Sequence, residues 1–232
     1  ALSRSGGLSE RNMNTLDFPF RDLTLTALPS GALWLRDEGL LCVSDLHLGK
    51  SERIARREGR MLPPYETRAT LDRLAGDLAA TGARTVICLG DSFDDLDAAA
   101  SLDDEARDSL LGLQAGRRWI WIEGNHDPGP VGLGGTHLFE LPQPPLTFRH
   151  IAQPGAAGEV SGHYHPKARL SARGRSVSRR CFLLDCDRLI LPAYGTYTGG
   201  LRSEDAALTG LMRPEALAIL TGPVPRPIPM PR

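Results

Sequence analysis

Four short segments carry residue types that could do chemistry together: DLH (45–47), GDSFD (90–94), GNHD (124–127) and GHYH (162–165). Carboxylates, imidazoles and one amide form a donor set that suits manganese, iron or zinc. Asp45 and His47 lie two residues apart, so on an extended backbone both side chains leave the same face, and His163 and His165 repeat that spacing. Asp91 supplies a carboxylate able to bridge two cations. Asn125 offers a neutral carbonyl oxygen that adds a ligand without adding charge. One further histidine would complete ligands for two divalent ions. The glycines of GD, GN and GH let the chain turn sharply and leave room for a substrate. Each segment alone has the pattern of an ordinary turn. Together they use four of the six histidines, in an order that chance does not readily produce.

These segments need elements to position them, and the sequence places each after an apolar run. LLCVSD (40–45), RTVICLGD (84–91) and RWIWIEG (118–124) read as buried strands, and the first three segments stand at their carboxyl ends. Thr67, Leu71, Leu74, Ala75 and Leu78 fall at helical spacing, with Gly82 as the stop, and a second helix is expected around 101–115. Alternation of strand and helix implies a parallel sheet, and sites in such sheets form beyond the carboxyl ends of the strands. LTLTAL (23–28) and ALWL (32–35) read as strands around a turn. From about residue 138 short β-like runs arrive without long helices, which implies a second, mostly antiparallel sheet. The fold class is therefore α/β, a two-sheet β-sandwich flanked by helices, with one domain over 21–222. Residues 1–20 are expected to be mobile. The tail from Pro223 has proline at every second position; it cannot pair as a central strand and is expected to be extended and solvated.

With 232 residues, 41% hydrophobic and 24% charged, the chain has the composition of a soluble globular protein. No apolar run reaches bilayer-spanning length and no signal-peptide core is visible, so a cytoplasmic protein without a membrane partner is expected. Cys42 and Cys88 sit in apolar runs, and none of the four cysteines has zinc-knuckle or redox spacing, so reduced structural thiols are expected. The net charge of −1 hides an uneven distribution: residues 91–108 are acidic, while 50–60 and 167–180 are basic and almost wholly arginine.

In this order, D-x-H, G-D-x-x-D, G-N-H-D and G-H-x-H resemble the binuclear metallophosphoesterase superfamily. The resemblance implies that Asp45, His47, Asp91 and His165 bind one metal. Asp91, Asn125, His150 and His163 would bind a second, with Asp91 bridging. His150 matches the family's histidine at a strand end through LTFRH; His137, in GGTHLFEL, is the competitor and reads as a loop or strand-edge residue. His126 matches the residue that contacts the scissile phosphate and protonates the leaving group. Asp94 and Asp127 are expected to support ligands rather than bind metal. Two cations about 3.5–4 Å apart can clamp a phosphate and lower the pKa of a water between them, so phosphate-ester hydrolysis is the implied reaction.

The basic runs bear on substrate. If 51–60 is helical, Arg53, Arg56, Arg57 and Arg60 share a face, and Arg53, Arg57 and Arg60 are candidate substrate-binding residues. The second run begins two residues past His165. Arginine suits bidentate phosphate contacts, and two runs tethered to the candidate ligands favour an extended anionic substrate. DLHLGKSERIARREGRMLPPYETRATLDRL and LILPAYGTYTGGL also resemble the bacterial ligase-associated DNA-damage-response endonucleases. That resemblance implies two manganese ions and cleavage of single-stranded DNA in end processing. An ATP-dependent DNA ligase, an exonuclease and a helicase would be partners. Tyr65, Tyr164, Tyr194 and Tyr197 are candidates for base stacking, although buried packing suits each as well. A phosphomonoesterase or pyrophosphatase acting on a nucleotide or lipid intermediate is the alternative, and a non-catalytic scaffold of the same fold is a third reading.

Overall fold

The computed structural model describes residues 14–51, 54, 65–100, 102–129, 132–172 and 175–232. Among them, the first sheet runs in chain order: β1 (Leu16–Phe20), β2 (Leu23–Ala27), β3 (Leu33–Leu35), β4 (Leu40–Val43), β5 (Thr85–Leu89), β6 (Arg118–Ile122) and β7 (Thr136–Leu138). The first four strands form an antiparallel meander, and β4 to β7 pair in parallel. Parallel pairing requires crossovers. Helix α1 (Glu66–Thr81) makes the first, and α2 (Leu96–Ala100) with α3 (Asp104–Gln114) makes the second. Gly82 ends α1 in the left-handed region at φ 64°, and the Asp103 side chain caps α3 by accepting from Ala106 N.

The second sheet is built from β8 (Glu140–Gln143), β9 (Leu146–Arg149), β10 (Glu159–Ser161), β12 (Arg175–Leu184), β13 (Arg188–Ile190), β14 (Leu217–Leu220) and β15 (Arg226–Pro229). Its order is β15-β14-β12-β13-β10-β9-β8, and β11 (Lys167–Ala172) pairs with the outer part of β12. Four of the six neighbouring pairs are antiparallel, and the two made by β10 are parallel.

The pleat sorts the apolar residues into three layers of core. Leu40, Cys42, Ile87, Leu89, Ile120 and Ile122 face Phe148, Val160, Phe182 and Leu189 between the sheets. Their alternate neighbours Leu41, Val43, Val86, Cys88, Trp119 and Trp121 pack under α1 and α3. On the outer face of the second sheet, Cys181, Leu183 and Ile190 meet Leu208 and Met212 of the segment around α4 (Ala206–Leu211). The expected sandwich with flanking helices is thus realised. Cys42, Cys88 and Cys181 are buried free thiols. No helix among the described residues is long and apolar enough to cross a membrane.

Two expectations at the chain ends are corrected. The expectation of mobility over 1–20 fails at Leu16–Phe20, which pairs along its whole length with β2 and buries Phe18 and Phe20, and residues 1–13 lie outside the described residues. The proline-rich tail is not detached from the fold: Arg226–Pro229 pairs as an edge strand, although Arg226, Pro227 and Pro229 stay exposed as expected. Successive N–H groups of a strand point to opposite sides, so prolines at 227 and 229 put their missing donors on the outer side. Met230 N, in the intervening register, donates to Ala216 O at 2.9 Å.

Candidate metal centre

At the carboxyl ends of β4, β5 and β6 the apolar strands give way to the polar segments, and backbone hydrogen bonds lace these together. Asp45 N donates to Gly90 O, His47 N to Asp91 O and Leu48 N to Ser92 O, while Asp94 N returns to Leu48 O. From the second sheet Gly162 N donates to His150 O and His163 N to Asp45 Oδ2. Tyr194 N and Gly195 N donate to Ser44 O and Asp45 O, which seats the loop after β13 against the first segment.

The structure brings the predicted residues into two neighbouring groups. Asp45, His47 and His165 present ligand atoms within 4.8 Å of one another, and so do Asp91, His150 and His163. Asn125 joins the second group, its Oδ1 lying 3.0 Å from His150 Nε2. His150 Nε2 also lies 3.3 Å from Asp91 Oδ2 and 3.3 Å from His163 Nδ1. In the first group His165 Nε2 stands 3.1 Å from Asp45 Oδ1 and 3.3 Å from His47 Nε2. Asp45 Oδ1 is buried and receives no hydrogen bond of good geometry. Imidazole nitrogens facing one another across a buried, underused carboxylate oxygen are what a divalent cation would satisfy.

The backbone reason for this convergence differs from the expected one. The D-x-H and H-x-H pairs are not extended: Asp45, His47, His163 and His165 have φ of 53°, 47°, 70° and 48°, and Asp91 has φ 46°. Among the described residues, the remaining non-glycine positions of positive φ are Arg21 and Asp22, in the β1–β2 turn. Left-handed conformations at Asp and His cost about 1 kcal/mol or more each and cluster where function needs a side chain aimed against the local grain. The glycines likewise make room for ligands more directly than for substrate. A Cβ at Gly162 would lie 1.7 Å from Ser44 Oγ, and one at Gly124 would lie 2.2 Å from Asp91 Oδ1.

Supporting residues fix the ring orientations. Asp94 Oδ1 accepts from His47 Nδ1 at 2.9 Å, which leaves Nε2 for the cluster. His150 Nδ1 donates to Leu89 O at 2.8 Å, with the same effect. Asp127 accepts from the backbone N–H of Asp91, Ser92, Phe93 and Gly124, tying the second segment to the third. His126 is exposed. Its N–H donates to Asp91 Oδ1 at 2.8 Å and its Nδ1 donates to the carbonyl of Asp94 at 2.9 Å, which leaves Nε2 for other contacts.

The electrostatics match. Burial works to raise the Asp45 and Asp91 carboxyls, but the surrounding histidines outweigh it and hold both below the usual range. Burial likewise opposes charge on His150, yet its hydrogen bond to Asp91 and the charges of Asp45 and Asp91 push it up to about 9. Burial and the neighbouring His150 lower His163. Positive charge is therefore favoured between the carboxylates, the place a cation would occupy.

The sequence profile of the calcineurin-like phosphoesterases matches residues 40–178, which hold every one of these side chains. The chain belongs to the calcineurin-like phosphoesterase family. It is a metal-dependent phosphoesterase, and its family uses a binuclear metal site. Among solved structures, the Pseudomonas putida nuclease MPE is similar at 26% identity and a TM-score of 0.74, covering 93% of this chain and 100% of that one. No curated protein matches the chain significantly.

Other predicted residues fall outside this phosphoesterase centre. His137 is on β7, stacked on Trp121, away from both groups. Arg53, Arg57 and Arg60 lie outside the described residues; of that basic run Lys50 is described, and its Nζ lies 3.9 Å from Asp94 Oδ1. In the second run Lys167 and Arg180 turn inward, donating to Thr198 O, Ala193 O and Thr196 O. Arg169 and Arg179 stay exposed on the β11–β12 hairpin. Tyr194 is buried, its hydroxyl donating to Asp77 Oδ2, so it packs and does not stack on a ligand. Sequence reasoning misses the seating of loop 193–200 on Asp45; the only signal for it in the sequence is the glycine pattern of AYGTYTGG.

Proposed function

We propose that this phosphoesterase is a nuclease that hydrolyses phosphodiester bonds of DNA, single-stranded by preference, with two manganese ions. Asp45, His47, Asp91 and His165 would hold one ion, and Asp91, Asn125, His150 and His163 the other. Bound divalent cations supply charge neutralisation at the phosphate and a lowered pKa for water. The protein's own part is positional. Asp94 and Leu89 O set which nitrogen of His47 and His150 faces the centre. Asp127 locks Asp91 and the 124–126 turn into one body. His126, held at Nδ1 by Asp94 O and at its backbone by Asp91, would in its imidazolium form give the Nε2 proton to the leaving oxygen and be left as the neutral Nδ1–H tautomer.

The supporting observation is that pairing of two ligand groups with an exposed, tautomer-fixed histidine beside them. The similarity to a nuclease structure over nearly the whole chain supports a diester over a monoester substrate. Exposed Arg169 and Arg179 on the hairpin that leaves His165 support a backbone-tracking contact. The resemblance of two segments to ligase-associated endonucleases supports a place in DNA end processing, with a ligase, an exonuclease and a helicase as partners. The test is purified protein with Mn²⁺ on single-stranded DNA and on small phosphomonoesters. Wild type should cut DNA, and His126→Ala should lose about 100- to 10,000-fold of turnover while still binding metal. Cleavage of monoesters alone, or an undiminished His126→Ala enzyme, would overturn the reading.

A further inference from the structure

Phe139 is the single residue between β7, the edge strand of the first sheet, and β8, the edge of the second. The residue is 71% exposed, while Leu138 and Leu141 of the flanking strands are half-buried against the inter-sheet core. Two neighbours define where it stands. In the first sheet, Ile122 pairs with Leu138 and Glu123 N donates to Leu138 O at 2.9 Å, so Phe139 runs beside the turn that carries Asn125 and His126. In the second, β8 and β9 pair antiparallel with Glu140 opposite Arg149, and Phe139 and His150 are the residues that adjoin that last pair. Ile151, next to His150 and 43% exposed, extends the apolar rim. An exposed aromatic residue thus adjoins, along the chain and across the pairing, the segments that carry Asn125 and His150. The basic hairpin leaves from His165, in the other ligand group.

We propose that Phe139 is a substrate-binding residue that stacks on the base next to the phosphodiester at the metal centre. This inference rests on the nuclease reading. An exposed aromatic ring offers any base a π-face without reading its sequence, which fits a single strand whose bases are unpaired and excludes a base already stacked in a duplex. The asymmetry also orients the strand: a base on the Asn125–His150 side, phosphates on the hairpin side.

The experiment compares manganese-loaded wild type, Phe139→Ala and Phe139→Trp on an oligodeoxythymidylate and on an oligomer of the same length made of tetrahydrofuran abasic residues. Wild type and Phe139→Trp should prefer the base-bearing strand, and Phe139→Ala should lose between about 5- and 100-fold in kcat/KM on that strand alone. In the His126→Ala background, 2-aminopurine beside the cleaved position should be quenched on binding, and replacing Phe139 by Ala should restore its emission. Equal losses on both strands, or no loss on either, would overturn the platform while leaving the nuclease reading intact. Failure of wild type to cut any DNA while it hydrolyses p-nitrophenyl phosphate would overturn both. Phe139 is exposed, so an unchanged melting temperature is the check that Phe139→Ala is folded.

Discussion

The same strands build two unlike regions a few residues apart. Between the sheets, Leu40, Cys42, Ile87, Leu89, Ile120 and Ile122 are fully or nearly buried on extended backbone, with no polar group to satisfy. Immediately beyond, Asp45, His47, Asp91 and His150 are just as buried, but three of these four are held at positive φ and every ring nitrogen needs a partner. The interior is stabilised by roughly 1.5–3 kcal/mol for each large side chain removed from water. The edge is costlier to build, because buried charges and left-handed Asp and His conformations cost free energy that the neighbouring histidines return in part and a bound cation would return further. One region holds the molecule together, and the other is held in place by it.

The sharpest way to break this contrast is at Asp91. Asp91→Asn should lower hydrolysis by on the order of a thousandfold or more, since it removes the carboxylate proposed to serve both cations. Thermal unfolding of the metal-free protein should move downward without loss of the fold, because the histidines that hold the Asp91 carboxyl below its usual range favour its charge in the folded state. A variant that unfolds instead would make the edge a stabilising element and erase the distinction. Phe182→Ala makes the complementary cut in the inter-sheet core. It should lose about 3–5 kcal/mol of unfolding free energy in denaturant titration, yet bind the same number of metal ions wherever it remains folded. Loss of metal binding in the folded variant would mean that the two regions are not separable. The smallest effect belongs to a third kind of surface. Neutralising Arg169 and Arg179 together should leave stability within about 0.5 kcal/mol and flatten the salt dependence of single-stranded DNA binding by roughly 0.7 for each phosphate no longer neutralised. An unchanged slope would make the hairpin a plain solvated face.

Much of the site is legible in residue type and order. These alone mark Asp45, His47, Asp91, Asn125, His163 and His165, because metal chemistry restricts the donors so tightly that their pattern survives as text. His150 needs the family pattern to choose it over His137, and the structure separates the two by register: β9 delivers His150 beside Asp91, while β7 leaves His137 stacked on Trp121. The geometric argument for the i, i+2 pairs does not hold. Spacing suggests one face of an extended strand, whereas the side chains converge because each backbone turns left-handed. No periodicity encodes that, since the turn is imposed by contacts from distant segments such as Gly195 N on Asp45 O.

The chain ends tell the same story. Composition makes 223–232 look solvated, but alternate prolines leave one side of the tail with its donors intact, and β14 stands ready to accept them. By itself, the sequence determined the α/β class, the carboxyl-edge location of the chemistry and the donor set. Those depend on local hydrophobic period and on residue type, which are properties of short stretches. Only the tertiary structure decided which nitrogen each histidine presents, that Lys167 and Arg180 serve the hairpin's base, that Tyr194 is core, and that an exposed phenylalanine stands at the sheets' corner. Each of those is fixed by a partner distant in the chain, and a sequence read locally does not contain the distance between them.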